Sequence, residues 1–172
     1  MIEDAEDIVW QGKFITVKTR GKWEYVARAR GIKAAVILAI DNGHVILVEQ
    51  FRLPIGRSSL ELPAGLIGDE EEGEQTLCAA ARELEEETGY RAGRWNVIGD
   101  FYSSPGMVSE SFTFLAAYDL EKVSDGGGVD GENIIVHRVA LDRLVTFIAE
   151  KRDEGCGIDV RLLTLLGAGL LN

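Results

Sequence analysis

Short apolar and β-branched runs, separated by polar turns, fill the first half of the chain, and this pattern is typical of β-strands. The apolar runs at residues 34–40 and 45–49 flank Asn42 and Gly43, and Asn-Gly favours a tight hairpin because both residues tolerate positive φ. We predict a β-hairpin over these two runs. The other elements predicted in this half are strands at residues 9–10, 14–18 and 23–29, a loop over 52–59 and a short extended segment over 61–65.

A helical pattern occupies the middle of the chain. Alanine, leucine and glutamate dominate residues 74–88, and Gly89 stands where a left-handed C-terminal cap belongs. The elements predicted after this helix are strands over 95–102, 111–119 and 134–139, a glycine-rich loop over 124–131, and closing helices over 141–151 and 158–171. Many strands with interspersed helices predict a mixed α/β sandwich.

The length of 172 residues suits one domain with a sizeable core. We see no internal repeat and no second large domain in the sequence. The early strands precede the long hairpin, and we predict that they form a small arm. The expected division is an N-terminal β arm with a role in dimerisation over residues 1–31 and the main domain over residues 32–172.

The formal net charge of −11 restricts the partners. An acidic protein repels a phosphate backbone, so we expect no nucleic acid as a partner. A small phosphorylated substrate stays compatible with this charge if metal ions or a few arginines neutralise it locally.

The cysteines and apolar runs argue against secretion and membrane insertion. Cys78 and Cys156 are too few for a disulfide framework, so we expect reduced thiols. The longest strongly apolar run, residues 34–40, is too short to span a bilayer, and residues 1–7 lack the basic start of a signal peptide. A cytoplasmic location without a membrane partner is the expectation.

The predicted middle helix carries an unusual cluster of acids. Residues 69–87 hold nine acidic side chains and one base, Arg82. At about 100° per residue, Glu83, Glu86 and Glu87 fall on one arc, beside an arc that can face the core. Like charges three or four residues apart destabilise a helix unless a cation neutralises them. Because Mg²⁺ prefers oxygen ligands, we favour metal binding over a solvated acidic face.

The spacing around these glutamates follows a longer pattern. Residues 68–90 fit G-x5-E-x7-R-E-U-x-E-E-x-G-U at every fixed position, where U is a bulky apolar residue. This pattern resembles the Nudix hydrolase signature, with Tyr90 at the last apolar position as a mild departure. The resemblance implies a Nudix-type α/β/α sandwich with a mixed sheet, here with a short antiparallel β arm at the N-terminus. It also implies metal-dependent cleavage of a phosphoanhydride bond.

The resemblance assigns roles to positions of the signature. The positions used for metal ligation are occupied by Glu83, Glu86, Glu87 and the backbone carbonyl of Ala64. Arg82 is expected to brace the carboxylates, Glu74 to orient the start of the helix, and Gly68 to permit the turn before it. The implied cofactor is Mg²⁺, with Mn²⁺ as a substitute. The implied catalytic set is Glu132, Glu83, Glu86 and Arg82.

Segments outside the signature narrow the substrate. Five segments are similar to the ADP-ribose pyrophosphatase branch of the family: residues 48–52, 61–65, 103–106, 109–110 and 132–136. Pro105, fifteen residues beyond Tyr90, is the discriminating mark of that branch, although a Pro-Gly pair is also a common turn between strands. The implied substrate-binding residues are Arg52, Arg28, Glu61, Pro105 and Glu110.

Several of these positions have an ordinary structural alternative. Arg52 matches an arginine that contacts the substrate diphosphate, but a surface salt bridge would also explain it. Glu132 matches a general base, with Asp130 as the fallback; the glycine-rich loop around them is either a closing lid or a plain solvent loop. Trp10 and Trp23 of the arm either help to hold the base or fill a core or interface, and the second explanation is favoured for Trp23.

The predicted function is Mg²⁺-dependent hydrolysis of ADP-ribose to AMP and ribose 5-phosphate by a homodimer. The nearest alternative is the same chemistry on another nucleoside diphosphate sugar, such as GDP-mannose. From another class, a non-catalytic nucleotide-binding sensor remains open, although such a protein would be expected to lose its metal-ligand glutamates. A purely structural protein is disfavoured by the cost of the acidic face.

Overall fold

The predicted hairpin lies at the centre of the fold. The computed structural model describes residues 5–68, 74–129 and 131–167, and in it β4 (Lys33–Asp41) and β5 (His44–Arg52) pair antiparallel. The turn residues Asn42 and Gly43 have φ of 46° and 73°, as the Asn-Gly pair predicts. Both strands are buried on their two faces, which explains their nearly continuous apolar sequence.

A mixed sheet extends from this hairpin. The other strands of this sheet are β6 (Arg57–Glu61), β7 (Ala64–Ile67), β8 (Tyr90–Tyr102), β9 (Ser111–Lys122), β10 (Ile135–Ala140) and β11 (Gly157–Ile158). The strand order is β11-β6-β5-β4-β9-β8, with β10 paired to β5 and β7 paired to β4. The pairs β4/β9 and β6/β11 are parallel and the others are antiparallel.

Helices cover both faces of the sheet, which confirms the α/β/α sandwich. Ile37 and Ile46 face α1 (Thr76–Thr88), whereas Val36 and Leu47 face α2 (Leu144–Asp153). Successive strand residues point to opposite faces, so neighbours in sequence serve different cores. A short helix, α3 (Leu163–Leu166), ends the described chain, in which no helix is long and apolar enough to cross a membrane.

A separate antiparallel sheet precedes the sandwich, as predicted. It consists of β1 (Glu6–Gln11), β2 (Ile15–Arg20) and β3 (Trp23–Arg28). Trp10 and Trp23 are 55% and 56% exposed, so they do not fill the core of this chain, and an interface role for them stays a prediction. The division of the chain at residue 31 also stays a prediction.

Two predicted elements are wrong: the loop over residues 52–59 and the helix over residues 158–171. Residues 52–59 were expected to form a loop, but β6 begins at Arg57 because its backbone pairs with β5 despite the polar side chains. Residues 158–171 were expected to form one helix. Instead Ile158 pairs with Leu60, and Asp159 caps a 3-10 turn. Within residues 158–167, the described part of this segment, only the four residues of α3 (Leu163–Leu166) are α-helical.

The middle helix is two residues shorter than predicted at its start. It begins at Thr76, so Glu74 lies in the segment before it. Gly89 ends it in the left-handed conformation, as expected, with φ of 71°. Leu84 and Thr88 are buried on this helix, whereas Leu77 in its first turn is 43% exposed.

Candidate active site

Helix α1 presents its carboxylates to the edge of β7. Glu87 is only 5% exposed, and one of its oxygens accepts a hydrogen bond of 3.0 Å from the backbone N–H of Ala64. Glu83, one turn earlier, packs against Gly65 so closely that a Cβ atom at Gly65 would overlap its carboxyl group. The two carboxylates therefore meet the backbone of the 64–65 segment directly.

Arg82 holds the neighbouring acids together. Its guanidinium donates to Glu83 at 3.0 Å and to Glu86 at 3.1 Å, and it donates to Glu74 at 3.4 Å. Glu74 in turn accepts a long bond of 3.5 Å from the N–H of Gly68. Arg82 thus contacts three acids and Glu74 contacts Gly68, and the bracing and orienting roles stay predictions.

Burial makes Glu87 an unusual acid. Desolvation raises its pKa from 4.5 to about 8, and the charges of Glu83 and Glu132 push in the same direction. The Ala64 N–H and Arg52 lower the pKa, but they do not compensate. Without a cation, Glu87 therefore holds a proton at neutral pH, and a divalent ion would favour its ionised form.

The donor set fits a hard divalent cation. Glu83, Glu86 and Glu87 are three carboxylates on one helix, and a buried carboxylate with a raised pKa is stabilised by a bound cation. Within the described residues, no three acidic, histidine or cysteine side chains are already arranged around a metal position. Arg82 and the Ala64 amide hydrogen-bond oxygens of these carboxylates instead.

One cavity brings most of the predicted site together. Its volume is about 770 Å³. The predicted residues that line it are Arg28, Arg52, Glu61, Ala64, Glu83, Glu87, Glu110 and Glu132. We call this space the acidic cavity. Arg82 and Glu86 do not line this cavity, but Arg82 hydrogen-bonds both Glu83 of the lining and Glu86.

Two arginines of the acidic cavity are fixed by carboxylates. Arg52 donates from Nε and Nη2 to the two oxygens of Glu61, both at 2.8 Å, and the Glu61 side chain is only 4% exposed. Arg28 donates from Nε to Glu110 at 2.5 Å. The salt bridge considered for Arg52 is present, but its partner is buried in the cavity wall. It therefore orients Arg52 toward the cavity space.

The glycine-rich loop is fastened to the end of α1. Gly127 and Gly128 donate to the carbonyls of Glu87 and Glu86, both at 2.9 Å. These bonds satisfy carbonyls that lack partners within the helix. The loop, for which a closing lid and a plain solvent loop were the alternatives, is docked on α1 through these residues, and Glu132 lines the cavity. Asp130, the fallback base, lies outside the described residues.

Pro105 lies elsewhere. It lines a second cavity of about 440 Å³ with Trp23 and Tyr25 of the N-terminal sheet. The loop that carries it binds this sheet, since Val26 donates to the carbonyl of Met107 at 3.0 Å. The structure therefore separates Pro105 from the other predicted substrate residues within one chain.

The acidic cavity also contains residues that the sequence did not indicate. Asp159 and Arg161 line it, although a helix was predicted across them. Gly65 is a further case, because its missing side chain makes room for Glu83. Gly65 belongs to the 61–65 segment that resembles the ADP-ribose pyrophosphatase branch, but the sequence assigned it no role of its own.

Comparisons with known proteins agree on the family. The NUDIX domain matches residues 30–155 of this chain. The methanol dehydrogenase activator of Bacillus methanolicus is 36% identical over 136 residues, 77% of this chain and 72% of that protein. The ADP-ribose pyrophosphatase of Bacillus subtilis is 36% identical over 118 residues, which are 68% of this chain but only 62% of that protein.

A further relative and a solved structure extend the comparison. The GDP-mannose pyrophosphatase of Cronobacter sakazakii is 34% identical over 147 residues, 80% of this chain and 72% of that protein. A crystal structure of an ADP compounds hydrolase superposes with a TM-score of 0.71 at 23% identity, over 96% of this chain and 91% of the other. At that identity the superposition shows the shared fold alone.

Proposed function

Because the chain belongs to the Nudix hydrolase family, we propose that it hydrolyses the diphosphate bond of a nucleoside diphosphate sugar, with ADP-ribose as the first candidate. The products would be AMP and ribose 5-phosphate. One observation carries this proposal: a single cavity combines the carboxylates of α1 with two arginines held by their own carboxylate partners. The named activity of the Bacillus subtilis relative supports the choice of ADP-ribose.

The carboxylates of α1 would hold the metal. We expect Glu83, Glu86 and Glu87, with the backbone carbonyl of Ala64, to bind Mg²⁺, and Mn²⁺ to substitute for it. When bound, the cation would neutralise the diphosphate and lower the pKa of the attacking water. Arg82 would keep the acids in place, because it already contacts two of them.

The arginines would bind the diphosphate. The contacts of Arg52 with Glu61 use Nε and Nη2, and within the described part of the chain Nη1 makes no hydrogen bond, so it can take a phosphate oxygen. Arg28, which is held only through Nε among the described residues, can offer two amino groups. Guanidinium groups already fixed in place stabilise developing negative charge without reorganising during the reaction.

Glu132 would remove a proton from the attacking water. Its charge raises the pKa of Glu87, after the larger effects of burial and of Glu83, so it lies within electrostatic reach of the metal-binding carboxylates. Its Oε2 accepts a 3.0 Å bond from the N–H of Val129, which fixes its direction within the loop. A general base needs such a fixed position near its proton donor.

A homodimer in the cytoplasm completes the proposal. Ile8, Val9 and Trp10 of the N-terminal sheet are each more than half exposed, and such an apolar surface suits a second subunit.

The second candidate substrate is GDP-mannose, which the name of the Cronobacter sakazakii relative favours.

A substrate panel with added Mg²⁺ tests the proposal. ADP-ribose, GDP-mannose, UDP-glucose and nucleoside triphosphates are incubated with the protein, and the released monophosphates are separated by chromatography. Preferential release of AMP from ADP-ribose is the expected result. Preference for GDP-mannose would keep the reaction and change the substrate, whereas no turnover with Mg²⁺ or Mn²⁺ would refute catalysis and favour a nucleotide-binding sensor.

A further inference from the structure

The C-terminal segment of the described chain forms one wall of the acidic cavity. Strand β11 pairs with β6, and the N–H of Asp159 donates to the carbonyl of Leu60 at 3.0 Å. Leu162 is fully buried and anchors the turn that follows. This wall lies beyond residue 155, where the match to the NUDIX domain ends.

Arg161 provides a positively charged side chain in this wall. Its Nε and Nη2 donate to the two oxygens of Asp159 at 2.8 and 2.5 Å, and Asp159 also accepts the Arg161 backbone N–H at 2.7 Å. Nη2 makes a longer contact of 3.5 Å with Glu61. The guanidinium carbon lies 5.8 Å from the ring centre of Phe112, which lines the same cavity.

These contacts fix the guanidinium before any ligand arrives. The Arg161 side chain is only 21% exposed. Burial works against the charge of Asp159, but the hydrogen bonds from Arg161 hold the pKa of this acid below its usual range. The pair is therefore ionised, and among the described residues Nη1 of Arg161 has no acceptor.

Arg161 follows β11, and in the sheet β6 and β5 stand between β11 and β4, whose partner β7 contacts helix α1. Arg52 ends β5 and therefore lies between the C-terminal wall and the metal-binding helix. The pKa of Arg52 is raised first by its hydrogen bonds to Glu61. The charges of Glu87 and Asp159 also raise it, so Arg52 lies within reach of both acids. A diphosphate held at α1 and Arg52 would direct its attached group toward the C-terminal wall.

We propose that Arg161, held by Asp159, is a specificity-determining residue that hydrogen-bonds the hydroxyl-rich sugar attached to the diphosphate. This inference rests on the proposed function. A guanidinium beside a carboxylate presents a donor and acceptors at neighbouring positions, as the vicinal hydroxyls of a sugar require. The position outside the matched family domain agrees with a role in substrate choice rather than in the shared reaction.

The test compares substrates that differ in one part. The kcat/KM values of the wild-type protein and of Arg161→Gln are measured with ADP-ribose, inosine diphosphate ribose and the β-methyl ester of ADP, which lacks the sugar. A lost hydrogen bond from a charged donor lowers kcat/KM by about 10- to 100-fold. We expect this loss for both ribose substrates and a change within about twofold for the methyl ester.

Two further variants control for structure. Arg94→Gln is the matched control, because Arg94 also pairs with an aspartate, Asp119, and stacks on an aromatic ring, that of Tyr118. Arg94 lies on strand β8 and does not line the acidic cavity, so this variant should keep the kcat/KM values for all three substrates. Arg161→Lys keeps the charge without the planar fork and should recover part of the ribose rates. Binding of α,β-methylene ADP-ribose, measured by calorimetry with Mg²⁺, should weaken in Arg161→Gln as the rates do.

The outcomes separate this inference from the proposed function. Equal losses of kcat/KM on all three substrates would show that Arg161 contacts the phosphates or stabilises the fold. Unchanged kcat/KM values would show that Arg161 does not contact the substrate. Either result overturns the assignment of Arg161 to the sugar and leaves the proposed hydrolysis intact. A wild-type protein that neither cleaves the ribose substrates nor binds the methylene analogue would overturn both.

Discussion

Replacing Glu87 by glutamine should stabilise the metal-free protein while weakening its response to Mg²⁺. Glu87 is buried against the Ala64 N–H, and burial raises its pKa from 4.5 to about 8. Glutamine has the shape of the protonated acid, and its side-chain carbonyl can accept the same N–H. The substitution removes an ionisation that opposes folding, and it also removes an anionic metal ligand.

The direction of the pH dependence follows from proton binding. Between pH 4.5 and about 8, folded Glu87 binds a proton that the unfolded chain has released. The free energy of unfolding therefore falls as the pH rises through this window and levels off above it. At roughly 1.4 kcal/mol per pH unit, the total loss approaches about 5 kcal/mol, of which about 3 is reached near pH 7.

Urea unfolding measures both effects. The wild-type protein and Glu87→Gln are unfolded in EDTA between about pH 5 and 9, and again with excess Mg²⁺. In EDTA the two should be similarly stable at the acid end, and the variant should be more stable by several kcal/mol at the alkaline end. Added Mg²⁺ should stabilise the wild-type protein much more than the variant, because metal binding requires the ionised carboxylate.

A neighbouring glutamate provides the control. Glu85 lies on the same helix with its side chain 37% exposed, and its hydrogen bond to Arg91 lowers its pKa. Glu85→Gln should leave the alkaline stability in EDTA and the Mg²⁺ response close to those of the wild type. Parallel pH profiles for the wild-type protein and Glu87→Gln in EDTA would refute the argument, since they would show that Glu87 ionises freely in the folded protein.

Three further predictions concern turnover and metal binding. Glu83→Gln should lower kcat by about 100-fold or more, the scale of losing one electrostatic group at a reacting centre, with an unchanged melting temperature; loss of folding would make Glu83 structural. Gly65→Ala should displace the Glu83 carboxyl and weaken Mg²⁺ binding in calorimetry, whereas Gly93→Ala, on an exposed strand, should not. Glu132→Gln should lower kcat by about 100-fold with little change in the Kd of a non-hydrolysable ADP-ribose analogue, and wild-type rates would remove it from the mechanism.

Local patterns predicted the elements whose signals are local. The hairpin at Asn42 and Gly43 and the helix end at Gly89 depend on residues that tolerate positive φ, and the structure confirms both. Strand β6 was not predicted because its sequence is polar, and its extended conformation depends on pairing with β5. The helix expected after Ile158 failed for a similar reason, since tertiary pairing and the Asp159 cap outweighed its apolar period.

The candidate site divides in the same way. Glu83, Glu86 and Glu87 were visible because helical spacing alone places them together. Contacts between distant segments were not visible. Glu61 meets Arg161 across one hundred positions of sequence, and Gly127 meets Glu87 across forty. The sequence contained these residues but no spacing that relates them, so the C-terminal wall and the docked loop became apparent only in the structure.

The charges of the acidic cavity imply an order of binding. Arg28, Arg52 and Arg161 are each matched by a carboxylate, so these three pairs contribute little net charge. The carboxylates of α1 and Glu132 then leave the cavity anionic, in a chain of net charge −11. A diphosphate would be repelled until a cation binds, and the proton on Glu87 would have to leave at that moment. Metal should therefore precede substrate, and substrate affinity should rise with both Mg²⁺ concentration and pH.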